Sequence, residues 1–229
     1  MQKWLTMDIE KLKNNLASVK KAITDSGMNG VQIIAASKTQ STETIDQLMS
    51  LDKSITLGEN RVQELVEKFN PNYNWHFIGQ LQSNKVKQII DKVVLIHSLD
   101  RLSLAQEIEA QAKKRDKIVS ALIEINIGSE LSKGGIEPNE LIEFAKQLSE
   151  FPHIKIEGIM SVAPAYLSGE KLDDCFKKLY GLFLETKVIK AQNFDIKTLS
   201  AGMTHDFIPA IKNGANMVRL GRVLFGDRQ

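Results

Sequence analysis

The sequence predicts an α/β protein, a single (β/α)8 TIM barrel with an extra N-terminal helix, with one domain over residues 1–229. Three observations predict it. Eight short apolar runs recur near residues 31–37, 54–58, 74–78, 93–97, 119–127, 154–161, 197–200 and 216–220. Each but the last leads into a stretch with helical spacing, the pattern of parallel strands joined by crossover helices. No linker or low-complexity segment interrupts the series. The competing architecture, an open doubly wound sheet, usually carries a glycine-rich turn after its first strand. Here that strand runs into Lys38-Thr39-Gln40-Ser41, without glycine.

The elements follow in order. Leu5, Ile9, Leu12, Leu16, Val19 and Ile23 predict a helix over 3–25, stopped by Asp25-Ser26-Gly27 and Asn29-Gly30, and expected to cover one end of the barrel. The run 31–37 is short and β-branched at its start, which suits a strand buried on both faces. Helical segments are expected over 44–51, 61–69, 83–91, 101–115 and 172–188, with Pro138 opening another in its first turn. Thr204 is expected to cap a helix through Phe207, Ile208 and Ile211, closed by Asn213-Gly214. A short apolar piece, Arg222-Val223-Leu224-Phe225, follows the eighth strand.

Composition narrows the function. Hydrophobic residues make up 42% and charged residues 25%, an ordinary globular balance. Lys plus Arg number 30 against 28 for Asp plus Glu, so no global field favours nucleic acid or an anionic membrane. No apolar run reaches the length of a membrane span, and the N-terminus lacks the apolar stretch of a secretory signal. Cys175 is the single cysteine, which excludes an intrachain disulfide and a cysteine zinc cluster. A cytoplasmic protein without a metal site is expected.

In a barrel, strand carboxyl ends converge on one active face. The polar residues there are Ser37 and Lys38, Glu59 and Asn60, His76 with Gln80 and Asn84, His97 and Ser98, and Asn126 with a loop holding Glu130, Ser132 and Lys133. Further round come Met160 and Ser161, then Ser200, Gly202 and Met203, then Arg219 and Gly221. Most have an ordinary reading. Asn60, Ser98 and Asp100 suit helix caps, and His76 between Trp75 and Phe77 suits a satisfied structural histidine. His97, His153 and His205 are weaker candidates, Cys175 lies among core-facing residues, and Lys113-Lys114-Arg115 ends a helix where cations suit the dipole. Lys38 alone could snorkel, its stem buried and its charge in water. Apolar walls at a strand end would instead disfavour the ammonium and free the amine as a nucleophile.

The last two units tip that choice. Ser200-Ala201-Gly202-Met203-Thr204 places a hydroxyl, a glycine and a helix start together, and Arg219-Leu220-Gly221-Arg222 adds a glycine and cations. Loops after strands seven and eight are a frequent phosphate site in barrels, and Gly202 and Gly221 permit close backbone approach. A phosphate cradle opposite a poorly solvated lysine suggests two chemistries. One is a Schiff base with pyridoxal 5'-phosphate, and the other a cofactor-free Schiff-base aldolase acting on a sugar phosphate.

At these residues the chain resembles the pyridoxal phosphate homeostasis protein family, relatives of the barrel domain of alanine racemase. The matching stretches include Ala36-Ser37-Lys38-Thr39, Gly58 to Glu64, Trp75 to Lys85, Ile125-Asn126-Ile127, Ser132 to Ile136, Gly158-Ile159-Met160, Leu199 to Thr204 and Met217 to Gly221, in order over nearly the whole chain. The resemblance implies that Lys38 forms the Schiff base and that Arg219 faces the pyridine nitrogen. It implies that Asn60, His76 and Met160 line the ring pocket. Ser200, the backbone through Gly202 and Met203, Gly221 and Arg222 would hold the phosphate, and Lys133 matches a lysine on a loop near the cofactor. Ala201 and Thr204-His205 depart from the common residues without removing a cofactor-holding group. A cation beside the pyridine nitrogen disfavours its protonation and weakens the ring as an electron sink, where strong enzymes of this cofactor commonly place a carboxylate. The related racemases also use a tyrosine from a separate β domain, for which this chain has no length. The resemblance therefore implies a carrier or regulator in vitamin B6 homeostasis, without robust turnover, that exchanges cofactor with enzymes that use it. A monomer is expected, with weak pairing of two copies as the alternative, and an amino-acid racemase is the competing function.

Overall fold

The computed structural model describes residues 7–130 and 133–226. Leu5 and Ser132 lie outside the described residues.

Eight parallel strands close into a barrel in sequence order: β1 Gln32–Ala36, β2 Thr56–Glu59, β3 Trp75–Phe77, β4 Leu95–Leu99, β5 Val119–Ile125, β6 Ile154–Ser161, β7 Phe194–Ser200 and β8 Met217–Leu220. β1 pairs with β8, Ile34 opposite Arg219, which shuts the cylinder. The side-chain period of two sorts each strand. In β1, Ile33 and Ala35 join the large core between sheet and helices, while Ile34 points inward to a small cluster with Ile78, Leu95, Leu122, Met160 and Met217. That cluster is the floor beneath the site.

The helices are α1 Ile9–Asp25, α2 Thr42–Leu51, α3 Val62–Lys68, α4 Val86–Ile89, α5 Leu102–Lys113, α6 Leu141–Leu148, α7 Gly169–Lys187, α8 Phe207–Lys212 and α9 Arg222–Phe225. Single 3₁₀ turns precede α4 and α6, the second opened by Pro138 as expected. α1 starts at Ile9, later than its periodicity suggests, because the Asp8 side chain accepts the Glu10 N–H and caps it there. Its position also differs from expectation. It packs against α2, α8 and α9, the helices flanking the β8–β1 seam, rather than over a barrel end. It completes the outer ring where the last unit supplies a single turn. Asn15 fastens it by donating to the Leu224 carbonyl at 2.8 Å.

The expected caps are corrected too. Asp206, not Thr204, precedes α8, and the Thr204 hydroxyl accepts the Val223 N–H of α9 at 3.3 Å. Neither Ser98 nor Asp100 caps α5, which begins after Arg101, and Asn60 does not cap α3, which begins after Arg61. In β6, Gly158 sits at φ 151° where the register shifts against both neighbours, and a Cβ there would strike the Thr198 backbone.

Candidate functional site

The carboxyl ends of the strands surround a cavity of about 970 Å³. Lys38, Met203, Arg219, Gly221 and Arg222 line it, so half of the ten expected site residues share one chamber. Lys38 lies two residues beyond β1, half-buried, in a turn closed by the Gln40 N–H to the Ser37 carbonyl at 3.0 Å. Lys133 faces the same cavity from the loop after β5, with its ammonium donating to Glu130 Oε1 at 3.0 Å. A Cβ at Gly221 would meet only Ala36, at 3.6 Å, so that edge of the chamber has room. Gly202 is tighter: its φ is 93° and a Cβ would press on Phe207 and Ala210 at 2.8 Å. Its freedom seats the β7–α8 loop on α8. The Met203 N–H points back to Asp206 Oδ1. Arg222 donates to His205 Nε2 at 2.7 Å.

The other expected residues sit behind this wall. Arg219 is 5% exposed, and donates through Nη1 to the Ser200 carbonyl and hydroxyl, at 2.9 and 2.7 Å, and through Nη2 to the Ser161 carbonyl at 2.8 Å. Burial lowers its pKa to about 10. The Ser200 oxygen lies 3.2 Å from His97 Nδ1, and His97 Nε2 lies 2.9 Å from His76 Nδ1. Guanidinium only donates, so the Ser200 oxygen accepts from Arg219, and the direction of the two histidine contacts follows the ring tautomers. Both rings are neutral: burial drops His76 to about 3, and burial, then the His76 and Arg219 charges, drop His97 well below its usual value. His97, a weak candidate by sequence, thus joins two strong ones. The Ser200 hydroxyl faces the barrel interior, and Met160 lies in the floor. Asn60 follows β2 directly, with its Oδ1 buried and without a hydrogen-bond partner among the described residues.

Two features had no sequence signal. Glu124, inward on β5, lines a smaller cavity of about 240 Å³ that shares Lys133 and Val162 with the main one. Burial, with Asp100 adding to it and Arg219 opposing, raises its pKa to about 7. Lys68 on α3 reaches inward to Glu59, Glu64 and the Ser37 carbonyl. A last-turn helix lysine ordinarily reads as a surface cation, so only the inward face of α3 in three dimensions reveals it.

A chamber with a reachable amine on one side, cations and an open glycine on the other, and apolar flooring suits a phosphorylated aromatic aldehyde. Among the described residues no group of three or more His, Cys, Asp or Glu is poised for a metal, and no helix is long and apolar enough to cross a membrane. Residues 7–229 match the family described as alanine racemase, N-terminal domain. A pyridoxal phosphate homeostasis protein of Aquifex aeolicus is 41% identical over 226 residues, covering 96% of this chain and 98% of that one. One from Pasteurella multocida is 37% identical over 206 residues, covering 87% and 88%. Among solved structures, PipY of Synechococcus elongatus with PLP bound superposes with a TM-score of 0.83 at 28% identity, covering 94% of this chain and all (100%) of that one. Alanine racemase of Clostridium difficile shares the fold alone, with a TM-score of 0.76 at 18% identity over 98% of this chain and 59% of that one. The chain belongs to the pyridoxal phosphate homeostasis protein family, on the barrel fold of the alanine racemase N-terminal domain.

Proposed function

We propose that this protein binds pyridoxal 5'-phosphate through a Schiff base at Lys38 and serves as an intracellular carrier or regulator of that cofactor, without robust turnover. The observation that carries the reading is the shared chamber of Lys38, Arg219, Gly221 and Arg222. The PLP bound by PipY supports the same ligand here. The bound group would supply a carbonyl for the Lys38 amine. Arg219, buried and held by three acceptors, would meet the pyridine nitrogen as a cation and disfavour its protonation. Arg222 and the backbone at Gly202, Met203 and Gly221 would hold the phosphate, with the Ser200 hydroxyl supporting Arg219 from behind. Asn60, His76 and Met160 would shape the ring pocket from its inner side.

The tyrosines do not complete a racemase site in this reading. Tyr73 donates to Asp46 at 2.7 Å, Tyr180 packs on Phe183, and Tyr166 is exposed. A monomer is the proposed working form, with weak pairing of two copies as the alternative. Enzymes that use the cofactor are its expected recipients, and the cytoplasm its place of action.

Borohydride reduction of protein supplied with pyridoxal 5'-phosphate, followed by peptide mass analysis, tests the reading. The adduct is expected on Lys38 and absent in Lys38→Ala; an adduct mapped to another lysine rejects it. The second reading is an amino-acid racemase, favoured by Lys133 on the same chamber as Lys38. Deuterium exchange at the α-carbon of added amino acids would establish that activity, and its absence across a broad panel would leave the carrier.

A further inference from the structure

The backbone on either side of Lys38 is held by a buried ionic cluster on β2 and α3. Lys68 Nζ, on a side chain 2% exposed, lies 2.9 Å from Glu59 Oε1 and 2.8 Å from Glu64 Oε2. It also donates to the Ser37 carbonyl at 3.0 Å. Glu59 Oε1 accepts the Ser37 hydroxyl at 2.9 Å, and Glu64 Oε2 accepts the Thr39 N–H at 2.8 Å. Lys68 thus pins the peptide group before Lys38, Glu59 pins the Ser37 side chain, and Glu64 pins the amide after Lys38.

The pinned conformation is an unusual one. Thr39 has φ 67°, the left-handed region that β-branched residues avoid. Such a conformation costs on the order of 1–3 kcal/mol and persists only where its surroundings impose it. The cluster itself adds no evident stability, because buried ion pairs are often replaceable by apolar groups without loss. A strained turn and a desolvated ion triad converge on the two peptide groups flanking one side chain, and that side chain faces the main cavity.

We propose that Glu59, Lys68 and Glu64 are positioning residues for Lys38: they fix the Ser37–Thr39 turn so that the Lys38 amine is aimed at the carbonyl of the bound vitamer. This rests on the Schiff-base reading above. Positioning acts on the bond-forming step more than on occupancy of the cavity, since small misplacements of a nucleophile cost far more than they cost in binding. The condensation is balanced within the site: the amine nitrogen bonds to the aldehyde carbon, and the carbonyl oxygen leaves as water.

The test compares two ligands on the full chain. Pyridoxal 5'-phosphate can condense with Lys38; pyridoxine 5'-phosphate has an alcohol in place of the aldehyde and can only occupy the cavity. Two variants are used. The pair Glu59→Gln with Lys68→Met removes one charge of each sign and leaves Glu64 beside Arg61, 3.8 Å away. Glu64→Leu removes the acceptor of the Thr39 N–H together with one carboxylate partner of Lys68, and leaves Glu59 paired with Lys68, so either one suffices if the other does not fold. Borohydride-trapped adduct at Lys38 is expected to fall by about tenfold or more at equal vitamer, with pyridoxine 5'-phosphate affinity held within about twofold. An unchanged adduct yield in a folded variant overturns the proposal, as does an equal loss for both ligands, which is the mark of a cluster that only supports the cavity. Parent protein that gives no adduct at Lys38 fails the underlying reading instead, and the positioning role with it.

Discussion

Glu124 stands 9% exposed on β5, with the Asp100 charge on one side of its balance and Arg219 on the other. Its Oε2 has no hydrogen-bond partner among the described residues. Burial penalises the carboxylate, so the folded protein holds a proton to about pH 7 that the unfolded chain releases near 4.5. Between those values the native state binds more protons than the unfolded state, and stability falls as pH rises, by an amount on the order of 3 kcal/mol. His76 and His97 act with the opposite slope. Neutral in the fold, they cost stability as pH drops below the ordinary histidine value of 6.5. Glu124→Gln isolates the first contribution. It is expected to stabilise the protein at alkaline pH by roughly 2–3 kcal/mol and to leave acid stability nearly unchanged, as read by urea unfolding across the pH range. At this scale the sequence was legible where a residue ended a strand: Lys38, Met203, Arg219, Gly221 and Arg222 all reach the chamber. It was silent on Glu124, whose neighbours come from distant segments, and on Lys68, which reads as a surface cation until α3 turns it inward, and it undervalued His97, whose partners lie on β3 and β7.

The Gly58-Glu59-Asn60 and Trp75-His76-Phe77-Ile78-Gly79 segments meet as elements. β2 pairs with β3, Gly58 opposite His76, and the chain after β3 then crosses the end of β2 so closely that a Cβ at Gly79 would collide with the Asn60 backbone. The glycine is thus a requirement of the close approach, and Gly79→Ala should cost about 2 kcal/mol or more, measured by denaturant unfolding, because backbone rather than a mobile side chain would have to yield. Gly58 has a related constraint, with Ile34 of the barrel floor 2.6 Å from an added Cβ. Strand and helix positions followed their periodicity, since hydrophobic spacing records which face is covered. The N-caps did not, because a polar residue ahead of a helix has several acceptors and donors within reach, although Asn213-Gly214 closes α8 as its sequence implies. Thr204 serves α9, far along the chain, and Ser98 Oγ is buried without a partner among the described residues rather than capping α5.

On the scale of the molecule, eight short strands and a ring of helices divide one core into an outer shell and a small interior floor. α1 is part of that shell. Leu12, Leu16, Val19 and Ile23 face inward, and Leu12 is fully buried. Leu12→Ala should therefore cost about 2–5 kcal/mol in urea unfolding, as for a core residue of the barrel itself, whereas a helix loosely laid on one end would lose little. The count of strands and their closure were readable from the regular alternation of segments. The seat of α1 was not, since an amphipathic stripe says that a helix is covered and not by what. Each strand is hydrogen-bonded to a neighbour on both sides around the whole circumference. A cylinder with no free rim offers no main-chain template to a visiting polypeptide. Any handover of the vitamer to an acceptor protein must then proceed through loops and side chains at the mouth, or by release into solution and recapture, and never by one chain extending the sheet of the other.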